Sequence, residues 1–201
     1  MPDTDHDLLG RVRAGDKAAF ERLVEHYESR VYSTALRLTG NAEDAEEVIQ
    51  DVFLTVHSKL ATLKSDAAFS SWLYRITVNS ANMKMRQGRR EQAIFLEDFA
   101  PKFNDRGYII HAHELHDWTL PQEDSVLKSE AQTTLEKAIE ELEEKYRSVI
   151  VLCDIEGLPV KEAADVLELS LAAAKSRLHR ARLFLRNKLD QYFSERIRKA
   201  G

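Results

Sequence analysis

The chain has 201 residues, 43% hydrophobic and 31% charged, which provides enough apolar surface for a core, suits one or two small domains, and excludes both a wholly disordered polymer and a large multidomain machine. Seven glycines and four prolines are too few for the frequent turns of an all-β chain, so an all-α fold class is expected. The formal net charge of -5 excludes nothing by itself, because nucleic-acid binding depends on where Lys and Arg lie.

The N-terminus, MPDTDHDLLG, is acidic without an apolar centre, and no apolar run approaches the roughly 18 residues of a membrane span. The expectation is a chain neither exported nor inserted into a membrane. The single cysteine, Cys153, excludes an intramolecular disulfide and a cysteine-built zinc cage, and suits a reducing, cytoplasmic compartment. Its neighbours Val149 and Leu152 place it on an apolar stripe, as a small hydrophobe rather than a redox sensor.

Ala19 or Phe20, then Leu23, Val24, Tyr27, Val31, Ala35 and Leu38 recur every three or four residues, which predicts an amphipathic helix closed by Gly40. Asn41 then offers a cap for a second helix with the stripe Ala45, Val48, Ile49, Val52, Phe53, Val56 and Leu60. Its first turns carry Glu43, Asp44, Glu46, Glu47 and Asp51. A third helix is expected from Asp66 to about Gly88, burying Phe69, Trp72, Leu73 and Ile76. From Ala67 to Arg90 it carries Arg75, Lys84, Arg86, Arg89 and Arg90 and no acid. Residues 8–90 therefore read as a helical bundle.

The stretch from Glu91 to Asp124 shows no sustained period and contains Pro101, Gly107 and Pro121, and residues 91–127 are assigned to an acidic flexible linker. His111, His113 and His116 with Glu114 and Asp117 suggest a metal cluster, but the spacing is not HExxH and no clear helix holds it; no metal and no cofactor are expected. Beyond the linker, Leu127, Ala131, Leu135, Ala138, Ile139 and Leu142 draw one helix and Tyr146 to Ile155 another, ending at Gly157. A short helix after Pro159 buries Val160, Ala163, Ala164 and Leu167. Ser170 caps a longer one with the stripe Ala174, Leu178, Ala181, Leu185, Leu189 and Tyr192. Two helices and a tight turn form a helix-turn-helix candidate in a second domain, 128–201.

On that last helix Lys175, His179, Arg182 and Arg186 share a stripe about a quarter turn from the apolar one, with Ser176 and Arg180 beside it. Such donors reach guanine acceptors and phosphates in a major groove; the blander alternative is a solvated basic surface.

Lys175-Ser176-Arg177-Leu178-His179-Arg180-Ala181-Arg182 resembles the recognition helix of bacterial sigma factors of the extracytoplasmic function (ECF) group, in the sigma-70 family. Leu142-Glu143-Glu144-Lys145-Tyr146-Arg147 and Asp154-Ile155-Glu156-Gly157-Leu158 resemble the helices before it. The stretches Asp44 to Phe53 and Phe69 to Asn79 resemble the family's polymerase-binding and promoter-reading segments.

The resemblance implies an alternative sigma factor: a non-catalytic specificity subunit whose domain 1–90 grips core RNA polymerase and the minus-ten element and whose domain 128–201 grips the minus-thirty-five element. It implies core polymerase, promoter DNA and an anti-sigma factor, often membrane-tethered, as partners, and no small-molecule substrate. By it, Asp44, Glu47, Gln50, Asp51 and Phe53 map to the polymerase surface. Lys64, Ser65, Asp66 and Ala67 map to a pocket for a flipped base, with Asn79 across from them and Arg75, Lys84 and Arg86 along the phosphates. Lys175, Ser176, Arg177, His179, Arg180 and Arg182 map to the upstream element. Leu171-Ala172-Ala173-Ala174 departs from the family's commoner small-Thr-Val pattern and removes a hydroxyl, which implies a lost DNA contact; Glu168 stands in the turn where an αL-tolerant residue is expected. Trp72 is expected in the core, and Tyr74 is open between packing and base stacking. Two rivals stand beside this reading: a dimeric helix-turn-helix repressor with residues 1–120 as a sensory or dimerisation domain, and a metal-dependent enzyme built on the His111 to Asp117 cluster.

Overall fold

A helix leaves its first backbone N–H groups unpaired, and in the N-terminal half three polar side chains take them up. The Thr4 hydroxyl accepts from the Asp7 N–H at 3.3 Å, Asp16 from the Ala19 N–H at 3.1 Å, and Asn41 from the Glu43 and Asp44 N–H groups at 2.7 and 3.2 Å. These caps open α1 (Asp5–Arg13), α2 (Lys17–Thr39) and α3 (Ala42–Lys59). Gly40 closes α2 at φ 70°, a left-handed conformation that suits glycine, and its N–H donates to the Leu36 carbonyl at 2.8 Å. Two 3-10 turns, Leu60–Thr62 and Asp66–Ala68, lead into α4 (Phe69–Gly88). The computed structural model describes residues 4–88 and 125–200, all of them in helices or their connections. The expectations on the connector up to residue 124, its histidine cluster included, lie outside the described residues.

The apolar stripes meet as the periodicity requires. Leu23, Val31, Leu38, Val48, Val52, Val56, Phe69 and Leu73 are buried together. Trp72 and Ile76, expected inside, are only partly buried and pack against this core from its edge. Helix α1 was not in the sequence expectation, which began the bundle at residue 8. It buries only Leu8 and Leu9, too few to draw a period.

In the C-terminal half, α5 (Ser125–Glu141) and α6 (Glu144–Ile150) are followed by a π-helical turn, Val151–Ile155, that ends before Gly157. Helix α7 (Val160–Val166) begins directly after Pro159, and α8 (Leu171–Ala200) begins where Ser170 accepts the Ala173 N–H at 3.2 Å. Ala174, Leu178, Ala181 and Leu185 are buried, with Phe184 and Phe193 added to the expected stripe.

The two halves share one continuous core. At its centre Arg147, fully buried, donates to the carbonyls of Ile139 at 3.0 Å, Leu142 at 2.9 Å and Glu140, all at the end of α5, and across the seam to Leu38 at 2.7 Å, at the end of α2. A guanidinium suits this place because last-turn carbonyls lack helical partners and carry the negative end of the helix dipole. Glu156 accepts from Thr34 at 2.9 Å and from the Tyr74 hydroxyl at 3.0 Å, joining the two halves a second time.

Candidate functional site

Helix α3 buries Val48, Val52 and Val56 and turns Glu47, Gln50, Asp51 and Leu54 outward, residues that the helical repeat of three and four places on one face. Phe53 belongs to the other side, 8% exposed in the core, where it seats the helix. Leu54 is 68% exposed, the most open of the large apolar side chains among the described residues, and lies amid these acids. The sequence carried a signal for it: Leu54 falls off the Val48/Val52/Val56 stripe. Lys84 of α4 reaches over the acidic face, pairing with Glu47 and lying 3.8 Å from Asp44. The Glu47 carboxylate holds the Lys84 ammonium above its ordinary range.

On α4, Asn79 and Met83 are exposed one turn apart, and Arg86 follows within the next turn. Tyr74, left open by the sequence, is buried at 7% with its hydroxyl committed to Glu156. Burial pushes its hydroxyl well above the usual tyrosine range, helped by the Glu156 charge, and base stacking by this ring is excluded in this conformation. Arg75 donates to the Asp165 carbonyl at 2.5 Å and lies 3.6 Å from Glu168. Arg86 donates through Nε and Nη2 to Glu144 at 3.0 and 2.5 Å, and that carboxylate raises its guanidinium above the usual value.

In the turn before α4, Lys64, Ser65 and Ala67 are exposed. Asp66 is tied back to α1 by Arg13 at 2.6 Å and His6 at 2.5 Å, which hold its carboxyl below the usual range. This turn is thus braced from α1, with His6 and Asp66 in contact 60 positions apart in the chain, which no local pattern reveals.

On α8, Lys175 and Ser176 are exposed and Arg177 is half-buried. Arg182 makes a bidentate contact with Asp154 at 2.9 and 2.6 Å. Arg180 leans inward, donating to the Tyr146 hydroxyl at 3.4 Å, and His179 is also half-buried. The outward donors at the start of α8 are therefore Lys175 and Ser176, followed by the carboxylate-paired Arg182. Glu168, in the turn between α7 and α8, adopts φ 55°, the one non-glycine residue at positive φ among the described residues.

Among the described residues no group of His, Cys, Asp and Glu could hold a metal ion, and no helix is long and apolar enough to cross a membrane. Burial and the Asp154 charge push the Cys153 thiol above its ordinary range, away from the reactive thiolate.

Residues 23–91 match the family model for sigma-70 region 2, and residues 132–185 match that for sigma-70 region 4. The chain is 32% identical to the RNA polymerase sigma-H factor of Pseudomonas aeruginosa, over 90% of this chain and 91% of that one. It is 33% identical to the ECF RNA polymerase sigma-E factor of Escherichia coli K12, over 93% and 95%. Among solved structures it is similar to CnrH in complex with the cytosolic domain of CnrY, at TM-score 0.64 and 25% identity, covering 94% of this chain and 99% of that one.

Proposed function

The chain belongs to the sigma-70 family, in its ECF group, and from that premise we propose how its surfaces divide the work of directing core RNA polymerase to promoters. A sigma factor is a non-catalytic polymerase subunit that confers promoter-specific initiation. The α3 face of Asp44, Glu47, Gln50 and Asp51, seated from beneath by Phe53, docks on a basic helical surface of core polymerase. Charge complementarity there fixes register and speeds encounter, and Leu54 supplies apolar area at the centre.

Residues 1–90 then read the downstream element. Lys64, Ser65, Asp66 and Ala67 frame a pocket for an unstacked base, Asn79 offers a donor and an acceptor to a base edge, and Arg75, Lys84 and Arg86 follow the phosphates. The second domain reads the upstream element with the outward Lys175, Ser176 and Arg182 of α8, backed by the half-buried Arg177, His179 and Arg180, and the residues before α5 link the two domains. The solved relative CnrH is held by the cytosolic domain of CnrY, and a comparable anti-sigma protein is the partner we assign to this chain. No catalytic step is assigned to the chain itself, and we place it with cytoplasmic polymerase.

One observation carries this reading: the acidic α3 face and the basic α4 and α8 faces stand on separate helices, each seated by its own apolar stripe. The test is gel filtration with purified core polymerase followed by run-off transcription. Wild type is expected to co-elute and direct specific starts, and Gln50→Ala/Asp51→Ala to lose both, with its own fold intact by circular dichroism. A protein that ignores core polymerase yet binds paired half-sites as a symmetric dimer would instead be the repressor.

A further inference from the structure

Leu171 opens α8 with 43% of its surface exposed, and Ala172 beside it is exposed as well. Lys175 and Ser176, one turn on, are exposed too, and the helical repeat places all four on one face. The opposite face, with Ala174, Leu178 and Ala181, is the buried one. Leu171 therefore takes no part in seating the helix, and it does not cap it either, since the Ser170 hydroxyl accepts the Ala173 N–H. The backbone on both sides of it is held. The Leu169 N–H donates to the Ala164 carbonyl at 2.9 Å before it, and the Ser170 cap spans it at 3.2 Å. A single exposed leucine is ordinary on a protein surface; this one is set apart by its place on the face of Lys175 and Ser176.

In a major groove the base edges present donors and acceptors, and the apolar exception is the C5-methyl group of thymine. Leucine can neither donate nor accept. Laid over guanine, adenine or cytosine, its side chain would take water from a polar edge and give no hydrogen bond in return; over the thymine methyl, two apolar surfaces leave water together. We propose that Leu171 is a specificity-determining residue for the upstream element, recognising a thymine through its C5-methyl group, with the small Ala172 allowing the helix to approach closely enough for that contact. The proposal rests on the reading of α8 as the upstream reader, and it adds a base that the hydrogen-bonding residues of the helix do not select. The position of that base follows from the helix. Leu171 and Lys175 lie four residues apart, about 6 Å along the axis, which is roughly two base-pair steps of duplex. The thymine is therefore expected within about two steps of the base pair whose identity Lys175 sets.

The test uses the full chain with core polymerase on a promoter whose upstream element has been defined by selection. Each thymine of that element is replaced in turn by uracil, which removes the methyl and keeps the pairing, and the affinity of the assembled polymerase is measured. In wild type, one thymine near the Lys175 base pair should lose about fourfold in affinity, the worth of one methyl left in water. With Leu171→Ala, thymine and uracil should bind alike at that position, whereas Lys175→Ala should keep the sensitivity to uracil and lose its own neighbouring preference. Cytosine methylated at C5 should recover part of the loss that plain cytosine causes in wild type, and none of it in Leu171→Ala. Leu171→Asn should exchange thymine for adenine, because an amide pairs bidentately with adenine N6 and N7; a gained preference cannot come from a misfolded protein. An upstream element with no methyl-sensitive thymine near the Lys175 position would overturn the proposal, as would a Leu171→Ala variant as sensitive to uracil as wild type. A Leu171→Ala variant that weakens core binding and leaves base preference unchanged would also overturn it, by making the leucine a protein contact. If wild type directs no specific starts, or Lys175→Ala leaves the upstream preference as it was, the reading of α8 itself falls, and the proposal with it.

Discussion

Arg147 is buried with its guanidinium donating to the carbonyls of two helix ends. Replacing it with Met keeps much of the volume but leaves buried acceptors unpaired, each costing about 1–3 kcal/mol. Arg147→Met is therefore expected to lower stability by about 3–5 kcal/mol, read as a fall in the urea midpoint at constant m-value. Tyr74→Phe removes one donor from Glu156 and should cost about 1 kcal/mol. A neutral effect on stability would mean that water replaces that hydroxyl. The pH dependence follows from the carboxylates whose pKa falls on folding. Asp66 is held low mainly by Arg13, and Asp16 by Arg11 and the Ala19 N–H. Their contribution is present above the unfolded carboxylate pKa and is lost as pH falls through the lower folded values. Acid titration of wild type should thus lose stability below about pH 4, and Asp66→Asn should show a shallower acid limb. An identical limb in the variant would remove Asp66 from the account.

At the scale of the helix, what was legible in the sequence was what is local. Gly40, Asn41 and Ser170 sit next to the backbone groups they serve, so their caps follow from residue type and position. The stripes of α2, α3 and α8 follow from a period of 3.6. Helix α1 escaped because two buried leucines draw no period, and the rim position of Trp72 escaped because a stripe gives direction but not depth. The α3 face adds an expectation of its own. If Leu54 is the apolar centre of the docking surface, Leu54→Ala should weaken core binding at least as much as Glu47→Ala, by about 1–3 kcal/mol, with no loss of thermal stability. An exposed leucine incidental to docking would leave affinity unchanged.

Across the whole molecule, the net charge of -5 conceals the separation that matters: an acidic α3 face, basic α4 and α8 faces, and acids of the C-terminal half lying on the cations of α4. The candidate site residues were singled out by motif and charge spacing. Their partners were not, because Arg75, Tyr74 and Arg86 find Asp165, Glu156 and Glu144 across 58 to 90 positions of chain. No periodicity within a helix encodes which second helix will cover it. The division of labour between α4 and α8 is tested most directly by sequencing the starts that reconstituted polymerase selects from a randomised promoter library. With wild type, two separated elements should be enriched. Asn79→Ala should relax only the downstream element and Lys175→Ala only the upstream one, each by about 1–3 kcal/mol of discrimination. Enrichment of a single palindromic site, or identical preferences in both variants and wild type, would contradict it.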